Sequence, residues 1–283
     1  MSGYNGRRAV APEVVMAQVV ETKRVTPHMM RVTLGGEGIA RLTLQGYDQW
    51  FRLFMTRPGQ ENLKLPTASS GWWYAQYLAT PRSRRPYVRN YTIRAAREEL
   101  NEIDVDFVVH EDEDGGTGPG AGFATGCSAG EQVGILDQGI GYNPQHDHDW
   151  VLLVADESGL PAVAGICESL PAGRRGLAIV EVPTTADKQD FTAPPGMEVR
   201  WVVRDEAPGT TAQDATGHDA VPGALALEAL RTAEFPGGDV YAFAIGESAL
   251  ATGARRHLVN DRGVPRTHVD FVGYWKHGRA SQS

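Results

Sequence analysis

A change in the spacing of apolar residues near residue 150 constrains the fold more than any other feature of the sequence. Before this point, apolar and polar residues alternate in short stretches that end at glycine or proline, which is typical of half-buried antiparallel strands. After it, Val151–Ala155 is continuous apolar sequence, and a proline in the first turn marks a predicted helix over Pro161–Leu170. A strand that is apolar on both faces and leads into a helix is typical of a parallel sheet covered by helices.

This change predicts two domains. Residues 1–144 are expected to form an antiparallel β-barrel, and residues 145–283 a parallel-sheet α/β domain of the nucleotide-binding type. The predicted elements are strands over Met29–Leu34, Trp50–Met55, Ile103–His110, Leu177–Val182, Val199–Val203 and Val240–Ile245, and helices over Ala224–Ala233 and Ser248–Asn260. His146 and His148 are interpreted as part of a polar linker, since the spacing places no third metal ligand beside them. We therefore expect no metal site.

Composition narrows the kinds of partner. The 283 residues carry a formal net charge of −8 without a long run of Lys or Arg, which argues against a nucleic-acid-binding surface. Cys127 and Cys167 form neither a CxxC pair nor a disulfide framework. No stretch approaches the ~18 apolar residues of a membrane-spanning helix. We expect a monomeric cytoplasmic protein that contacts neither nucleic acid nor membrane.

The tetrapeptide Arg89-Asn90-Tyr91-Thr92 is the first candidate binding element. On an extended strand Arg89 and Tyr91 share one face, and Thr92 turns to the other. Arg can bind a pyrophosphate through two hydrogen bonds, Tyr can stack on an isoalloxazine ring, and Thr can hydrogen-bond to a ring nitrogen. The pattern alone fits equally a half-buried strand with an exposed arginine.

A glycine-rich segment over residues 115–122 is the second candidate. Glycines allow backbone N–H groups to approach phosphate oxygens without obstruction by side chains. The four acidic residues at 111–114 would repel a phosphate, so a binding function requires that they point to solvent. The alternative interpretation is a flexible acidic loop.

Together with further motifs, these elements resemble the siderophore-interacting protein family, ferric-siderophore reductases of the wider ferredoxin-NADP reductase-like superfamily. The matching segments are Met30–Leu34, Arg89–Thr92, Val105–His110, the glycine-rich turn ending at Phe123-Ala124, Ala155–Ala162, Ala244–Glu247, Arg255–Leu258 and Gly273–Gly278. The resemblance covers almost the whole chain in the family's order, which makes it far more specific than any single motif.

The resemblance implies that the first domain binds FAD. Arg89 is implied to neutralise an FAD phosphate, Tyr91 to pack against the flavin and Thr92 to approach its N5 edge. Phe123 stands where the family usually has Trp, which keeps an apolar ring but removes an indole N–H. The residues implied to contact FAD are Arg89, Asn90, Tyr91, Thr92, Asp106, Val108, His110, Gly118, Pro119, Ala121, Phe123 and Ala124.

Binding of NADH or NADPH is assigned to the second domain by the resemblance and by strand-end position. Asp156, Ser158 and Glu247 follow predicted parallel strands, at the edge where open α/β sheets bind ligands, although a GxGxxG motif is absent. Alternatively, Asp156 and Ser158 cap the helix that begins near Pro161, and Glu247 is a helix N-terminal carboxylate. The cations that could meet the 2′-phosphate of NADP are Arg174, Arg175, Arg204 and Lys276.

The substrate implied by the resemblance is a bulky, commonly anionic ferric siderophore, which an acidic protein must bind with local cations. The candidates are Arg52, Arg255, Arg256 and Lys276. Relatives often carry Gly-Pro-Arg-Gly at Asp137-Gln138-Gly139, and the loss of that Arg leaves room for mixed or hydroxamate ligands. Trp72-Trp73-Tyr74 is either a helix packed on the barrel or a wall of the substrate site.

The implied activity is electron transfer from NAD(P)H through FAD to the Fe(III)-siderophore. Reduction to Fe(II) weakens ligation by hard oxygen atoms and releases iron for assimilation in the cell. Because the cofactor carries the chemistry, no catalytic acid, base or nucleophile is expected, and Tyr91 and Thr92 are expected to tune the flavin. Two alternatives stay open: a flavin-dependent reductase with another acceptor, and a non-catalytic flavin-containing siderophore-binding protein. Reduced ferredoxin is the alternative electron donor.

Overall fold

An antiparallel sheet forms the first domain of the structure, a computed structural model that describes residues 6–68, 71–109, 118–207 and 221–278. Its strands are β1 (Val14–Thr26), β2 (Met29–Gly35), β3 (Trp50–Met55), β4 (Tyr87–Thr92), β5 (Ala95–Arg97), β6 (Glu102–Val108) and β7 (Gln132–Gly139), with helices α1 (Trp72–Ala79) and α2 (Pro119–Gly126). The hydrogen-bonded order is β4-β3-β7-β1-β2-β6-β5, and each neighbouring pair is antiparallel.

This sheet curls because its two edge strands are consecutive in the chain. Only Ile93 and Arg94 separate β4, which pairs with β3, from β5, which pairs with β6. The Arg94 N–H donates to the carbonyl of Asp104 on β6 at 2.8 Å, and the rings of Tyr91 on β4 and Phe107 on β6 are 4.2 Å apart. Apolar side chains from five strands fill the interior. The predicted antiparallel β-domain is confirmed, and it is barrel-like.

The second domain is a parallel sheet between two layers of helices. Its elements are β8 (Trp150–Ala155), α3 (Leu160–Ser169), β9 (Arg175–Val182), β10 (Gly196–Val203), α4 (Ala224–Thr232), β11 (Val240–Glu247), α5 (Ser248–Asn260) and β12 (Val269–Trp275), with strand order β10-β9-β8-β11-β12. On β8, Val151 and Leu153 pack into one apolar core, and Leu152 and Val154 into the other. Burial on both faces explains the continuous apolar run, and the predicted parallel α/β domain is confirmed.

Helix α2 differs from the turn predicted over this segment. It contains three glycines, which lower helix propensity. The helix forms nevertheless because Ala124 is buried and Phe123 packs against the interior of the β-domain. Packing of an apolar face contributes more to a short helix than intrinsic propensity does. In the described parts of the chain, no helix has both the length and the apolar character needed to cross a membrane.

Among the residues that the structure describes, polar contacts join the two domains. The Arg94 guanidinium forms two hydrogen bonds with Glu168 near the end of α3, at 2.8 and 2.9 Å. His28, in the turn after β1, contacts Asp187 through its backbone N–H at 2.9 Å and through Nδ1 at 2.7 Å. The backbone N–H of Tyr47 donates to the hydroxyl of Ser169. These contacts fix the orientation of α3 relative to β4.

Asp48 anchors the start of the segment that links the domains. The boundary predicted after residue 144 falls in this segment, between β7 and β8. The Asp48 carboxylate is 2% exposed and accepts the backbone N–H groups of Gly141 and Tyr142 at 3.1 and 2.9 Å. Burial raises the pKa of Asp48 to about 6, and these hydrogen bonds only partly oppose the rise. The folded protein therefore retains a proton that the unfolded chain releases near pH 4.

We expect Asp48→Asn to flatten the pH dependence of stability. Because native Asp48 binds a proton more tightly than unfolded Asp48, its contribution to the free energy of unfolding falls as pH rises toward and through 6. Asn keeps an oxygen acceptor for both N–H groups but does not ionise. In denaturant titrations, the free energy of unfolding of the variant relative to that of the native protein should increase by about 1 kcal/mol from pH 5 to pH 7. Exposed Asp147→Asn, in the same linker, is the control; parallel profiles for Asp48→Asn and the native protein would contradict this assignment.

Candidate functional site

Strand β4 presents two chemically different faces. Arg89 and Tyr91 share one face, and Asn90 and Thr92 share the other. Tyr91 pairs with Phe51, whose side chain lies in the interior of the β-domain, and Tyr91 packs against the same interior. Asn90 is exposed. One face of β4 therefore points toward α2, and the other carries polar groups outward.

The Tyr91 ring is fixed between β6 and α2. It lies 4.2 Å from the Phe107 ring, and a Cβ at Gly120 would stand 2.0 Å from its hydroxyl oxygen. Burial raises the pKa of Tyr91 well above its usual range, and the nearby Arg89 charge opposes that rise. Tyr91 thus stays a neutral phenol, and only glycine at position 120 lets α2 approach it.

The N-terminus of α2 is open to an anion. Gly118 supplies no side-chain cap, Pro119 lacks an N–H, and the first hydrogen bond within the helix runs from Gly122 to Gly118. The N–H groups of Gly120 and Ala121 therefore have no acceptor within the helix. Free amides at a positive helix end are suited to phosphate oxygens. With Arg89 close to Tyr91, this site fits the diphosphate of a dinucleotide.

The apolar side of α2 holds the helix in this position. The Phe123 ring lies 5.9 Å from the Phe107 ring, and Ala124 is 1% exposed. These two predicted cofactor residues therefore pack against the β-domain. Their contact with FAD stays a prediction, as does that of Ala121 and Pro119.

Arg52 lies on the opposite face, held between two indole rings. Its guanidinium carbon is 4.7 Å from the centre of Trp73 and 5.6 Å from that of Trp50, and it donates to the side-chain oxygen of Asn90 at 3.2 Å. Its Nε is buried and has no hydrogen-bond partner among the described residues. Burial lowers the pKa of Arg52, although an arginine stays charged. The side chain thus keeps a positive charge and one unused donor.

Thr92 belongs to the same face as Arg52. It is 8% exposed and pairs across the strands with Trp50, while Asn90 pairs with Arg52. Cross-strand partners lie ~5 Å apart. The proposed flavin-edge residue and the proposed substrate residue are therefore neighbours.

The remaining predicted FAD residues lie on or beyond β6. The Asp106 carboxylate is buried in a two-bond ion pair with Arg31, at 2.7 and 2.9 Å. Val108 is half-buried and pairs with Met29. His110 lies outside the described residues. Asp106 stabilises the outer face of the β2–β6 pair, and its role toward FAD stays a prediction.

In the second domain, Asp156 joins the ends of β8 and β11. Its fully buried carboxylate accepts the N–H and hydroxyl of Ser158 at 2.8 and 2.5 Å, and the N–H of Glu247 at 2.6 Å. Gly246 has φ +124°, and a Cβ there would lie 2.6 Å from the Asp156 carboxylate. Burial, followed by repulsion from Glu157, raises the pKa of Asp156 to about 7. Asp156 thus shapes the carboxyl edge of the sheet from within.

Glu247 and Trp275 hold the C-terminal segment on this edge. The Glu247 carboxylate caps α5 by accepting the N–H groups of Ala249 and Leu250, and it also accepts the N–H of His277 at 3.1 Å. The Trp275 indole N–H donates to the Ser158 hydroxyl at 3.1 Å. Lys276, exposed between these two anchored residues, therefore lies at the carboxyl edge.

The structure separates the four cations considered for a nucleotide phosphate. Arg204 is 5% exposed and forms ion pairs with Glu157 and Glu181 at 2.6 and 2.9 Å. Arg174 and Arg175 lie where β9 begins, at the amino edge of a parallel sheet. Ligands bind at the opposite edge. Of these four, Lys276 is the one exposed at the carboxyl edge, and its contact with a nucleotide stays a prediction.

Among the described contacts, none joins Arg255 or Arg256 to Arg52. The Arg255 guanidinium lies 5.1 Å from the centre of the Phe271 ring, and Arg256 is exposed. Gln138 donates to the carbonyls of Leu136 and Asp137, so its amide is turned to the backbone of β7. Arg255 and Arg256 stay predictions as substrate residues.

The curled antiparallel domain followed by a parallel α/β domain shares its fold with the ferredoxin-NADP+ reductase of Plasmodium falciparum, which superposes with a TM-score of 0.59 at 8% identity. The match to an FAD-binding domain model and the reductases among its relatives identify the chain as a flavin-dependent oxidoreductase. Residues 18–141 match the model of the siderophore-interacting FAD-binding domain, and residues 148–278 match that of the siderophore-interacting protein. The chain belongs to the siderophore-interacting protein family, which confirms the resemblance seen in the sequence.

Relatives with assigned activities align over most of their length. The ferric vibriobactin reductase ViuB of Vibrio cholerae is 30% identical over 267 residues, 93% of this chain and 90% of that protein. The NADPH-dependent ferric-chelate reductase of Escherichia coli is 24% identical over 261 residues, 91% of each chain. The crystal structure of a siderophore utilization protein from T. fusca superposes with a TM-score of 0.79 at 31% identity, covering 97% of both chains.

Sequence reasoning missed the residues that position the site. Glu168, Asp187 and Ser169, which contact the first domain, lie 74, 159 and 122 residues, respectively, from their partners along the chain. Glu181 is buried and accepts N–H groups of Gly223 and Ala226 at the start of α4. A charged residue inside the otherwise apolar β9 was the one signal that could have indicated Glu181.

We expect Gly120→Ala to reduce FAD retention sharply, because the new Cβ would collide with the Tyr91 hydroxyl. Gly126→Ala, in the last position of the same helix, meets nothing within 4 Å and is the matched control. Flavin absorbance after desalting should fall severalfold for the first variant and stay unchanged for the second. Addition of Tyr91→Phe, which removes the colliding oxygen, should partly restore folding stability in a thermal melt. Full flavin retention by Gly120→Ala would contradict the assignment.

Proposed function

We propose that the protein is an FAD-dependent ferric-siderophore reductase that takes electrons from NAD(P)H. The observation that carries this proposal is the register of β3 and β4, which places Arg52 and Asn90 beside Thr92 and Trp50 on one face. Family membership supports flavin at β4, and the neighbouring desolvated cation supports an anionic acceptor beside it. The names of ViuB and of the Escherichia coli ferric-chelate reductase support an Fe(III) chelate as that acceptor.

The chain's residues bind and orient the cofactor. When bound, FAD supplies two-electron exchange with a nicotinamide and one-electron exchange with iron. Arg89 and the N–H groups of Gly120 and Ala121 neutralise the diphosphate, and the neutral phenol of Tyr91 provides a flat apolar contact. The Thr92 hydroxyl lies on the face that carries Arg52, where it would hydrogen-bond to the ring edge. No side chain is required as a general acid or base.

Substrate is held by charge and by aromatic surface. Arg52 offers a charge that the indoles do not neutralise. Its restricted position between Trp50 and Trp73 lowers the entropy lost when an anion binds. Arg255 and Arg256 of the second domain add charge to this site. The ferric complex is the reaction's substrate, and its iron leaves as Fe(II) because hard oxygen ligands bind that ion less strongly.

Pyridine nucleotide binds at the carboxyl edge of the parallel sheet. The backbone around Gly246 and Ser158 is fixed there by the Asp156 carboxylate, which leaves Lys276 to meet a phosphate. If reduced ferredoxin is the electron donor instead, a contact between the two proteins would replace nucleotide binding. We propose that the protein acts as a monomer. Anaerobic mixing of the yellow protein with NADH, NADPH or reduced ferredoxin distinguishes these donors.

Turnover distinguishes the proposed reductase from its alternatives. A reductase yields many Fe(II) per protein when a ferric siderophore and NAD(P)H are supplied with an Fe(II) chelator under anaerobic conditions. A stoichiometric yield with tight ligand binding would instead indicate a siderophore-binding protein. Bleaching by NAD(P)H without reoxidation by ferric siderophores of several classes would indicate another acceptor.

We expect Arg52→Ala to raise the KM for ferric siderophore about tenfold, equivalent to ~1.4 kcal/mol, because it removes the cation between the indoles. The rate at which NAD(P)H bleaches the flavin should stay the same, since Arg52 is on the acceptor face. Arg41→Ala, which removes an exposed arginine paired with Glu13, is the control. An unchanged KM in Arg52→Ala would remove this residue from the substrate site.

We expect Lys276→Ala to raise the KM for the pyridine nucleotide about tenfold, and more for NADPH than for NADH if the lysine meets the 2′-phosphate. Steady-state assays with each nucleotide at saturating acceptor measure this. Arg175→Ala, at the amino edge of the same sheet, should leave both KM values unchanged. Equal effects of the two variants would argue against nucleotide binding beside Lys276.

A further inference from the structure

Helix α1 is an uncharged helix on the protein surface. Its sequence, Trp-Trp-Tyr-Ala-Gln-Tyr-Leu-Ala, has no ionisable group that is charged at neutral pH. A surface helix normally turns a polar face to solvent. Here Trp72 is 75% exposed, Tyr74 52% and Leu78 47%. These three side chains form an outward apolar face, which we call the α1 face.

The α1 face cannot turn inward, because the opposite side of the helix is already packed. Tyr77 is 3% exposed and belongs to an apolar cluster with Phe54 and Leu136. Trp73 packs edge-on against Phe54 with ring centres 5.8 Å apart. Both inward positions are therefore occupied, and rotation of α1 would empty a filled core.

The chain segments that flank α1 carry positive charge, although the whole protein is acidic. Residues 62–97 contain no Asp or Glu, while the chain has a net charge of −8. Lys64, Arg82 and Arg84 are exposed in the segments that flank α1. Arg85 is held at the C-terminal end of the helix, where it donates to the carbonyls of Leu78 and Thr80 and lies over the Tyr77 ring. The α1 face is thus an apolar projection bordered by cations.

We propose that the α1 face docks on the surface of an anionic lipid bilayer. Trp and Tyr side chains favour the membrane–water interface, and Lys or Arg close to an anionic surface adds electrostatic attraction. A helix of eight residues is ~12 Å long, so it lies in the interface and does not span it. Exposed aromatic and aliphatic side chains next to exposed Lys64, Arg82 and Arg84 match the apolar and anionic layers of such a surface.

This inference goes beyond the expectation of no membrane contact, which considered spanning segments only. Trp73 connects the α1 face to Arg52, because it packs against Phe54 on the inner side of α1 and its ring also lies under the Arg52 guanidinium. Docking through α1 would place Arg52 one side chain from the lipid surface. The binding itself does not depend on the proposed reductase activity.

The test is co-flotation of the full-length, flavin-loaded protein with vesicles. We expect binding to phosphatidylcholine vesicles that contain 30% phosphatidylglycerol, weaker binding to pure phosphatidylcholine, and loss of binding as salt rises from about 50 to 500 mM. The double variant Trp72→Ala/Tyr74→Ala should bind at least tenfold more weakly. Both residues are exposed, so an unchanged thermal melt and flavin content will show that the fold is intact.

A matched control removes exposed apolar side chains elsewhere. Leu100→Ala/Val221→Ala changes residues that are 56% and 42% exposed, and it should bind vesicles like the native protein. Failure of the native protein to float with anionic vesicles would overturn the proposal, and so would equal binding by the α1 variant. If the α1 variant instead dissociates a dimer in sedimentation, or loses binding to an acidic protein while vesicles are not bound, the face has a protein occupant and the proposal is wrong.

Discussion

The ion pair between Arg94 and Glu168 determines how the two halves of the site meet. Arg94 follows β4 by two residues, and Glu168 lies near the end of α3. The N-terminus of the same helix starts four residues after Asp156, at the nucleotide edge. One contact with two hydrogen bonds therefore links the cofactor strand to the nucleotide helix. Arg94 is 9% exposed, so removal of Glu168 would leave a largely buried charge without its partner, which is costly. Together with the His28–Asp187 and Tyr47–Ser169 contacts, this pair holds the two domains in one orientation.

The fold could be predicted because local pattern and global packing agree. Val151–Ala155 is apolar on both faces since two helix layers cover β8, and that property is visible in five consecutive residues. The strand that carries Arg89 and Tyr91 was recognisable by motif. By contrast, α2 could not be predicted, because Gly120 and Gly122 argue against a helix, and this one depends on packing of Phe123 and Ala124 against the β-domain. Glu168 could not be assigned either, since its partner is 74 residues away and the sequence holds no record of which strand end α3 contacts.

An acidic protein that binds anions must control which cations remain available. Arg31, Arg97 and Arg204 are matched by carboxylates, with Asp106, Asp104 and Glu157 respectively, at 2.6 to 2.7 Å. These pairs stabilise strands and neutralise charge, so they attract no ligand. Positive charge that is not neutralised remains on cations that lie against aromatic rings, or on cations in segments without acidic residues, such as residues 62–97. Charge is therefore placed by pairing the other arginines rather than by adding basic residues.

Arg52 shows why aromatic contact is a better support than a carboxylate for a substrate cation. An indole attracts a guanidinium through its ring quadrupole and leaves the net charge in place, whereas a carboxylate would cancel it. Trp50 and Trp73 also exclude water from the guanidinium, which strengthens its interaction with an incoming anion. The cost is that one desolvated cation can balance little more than one negative charge. Gln138, whose amide is turned to the backbone of β7, supplies no second cation, so a substrate of high negative charge would need further cations such as the proposed Arg255 and Arg256.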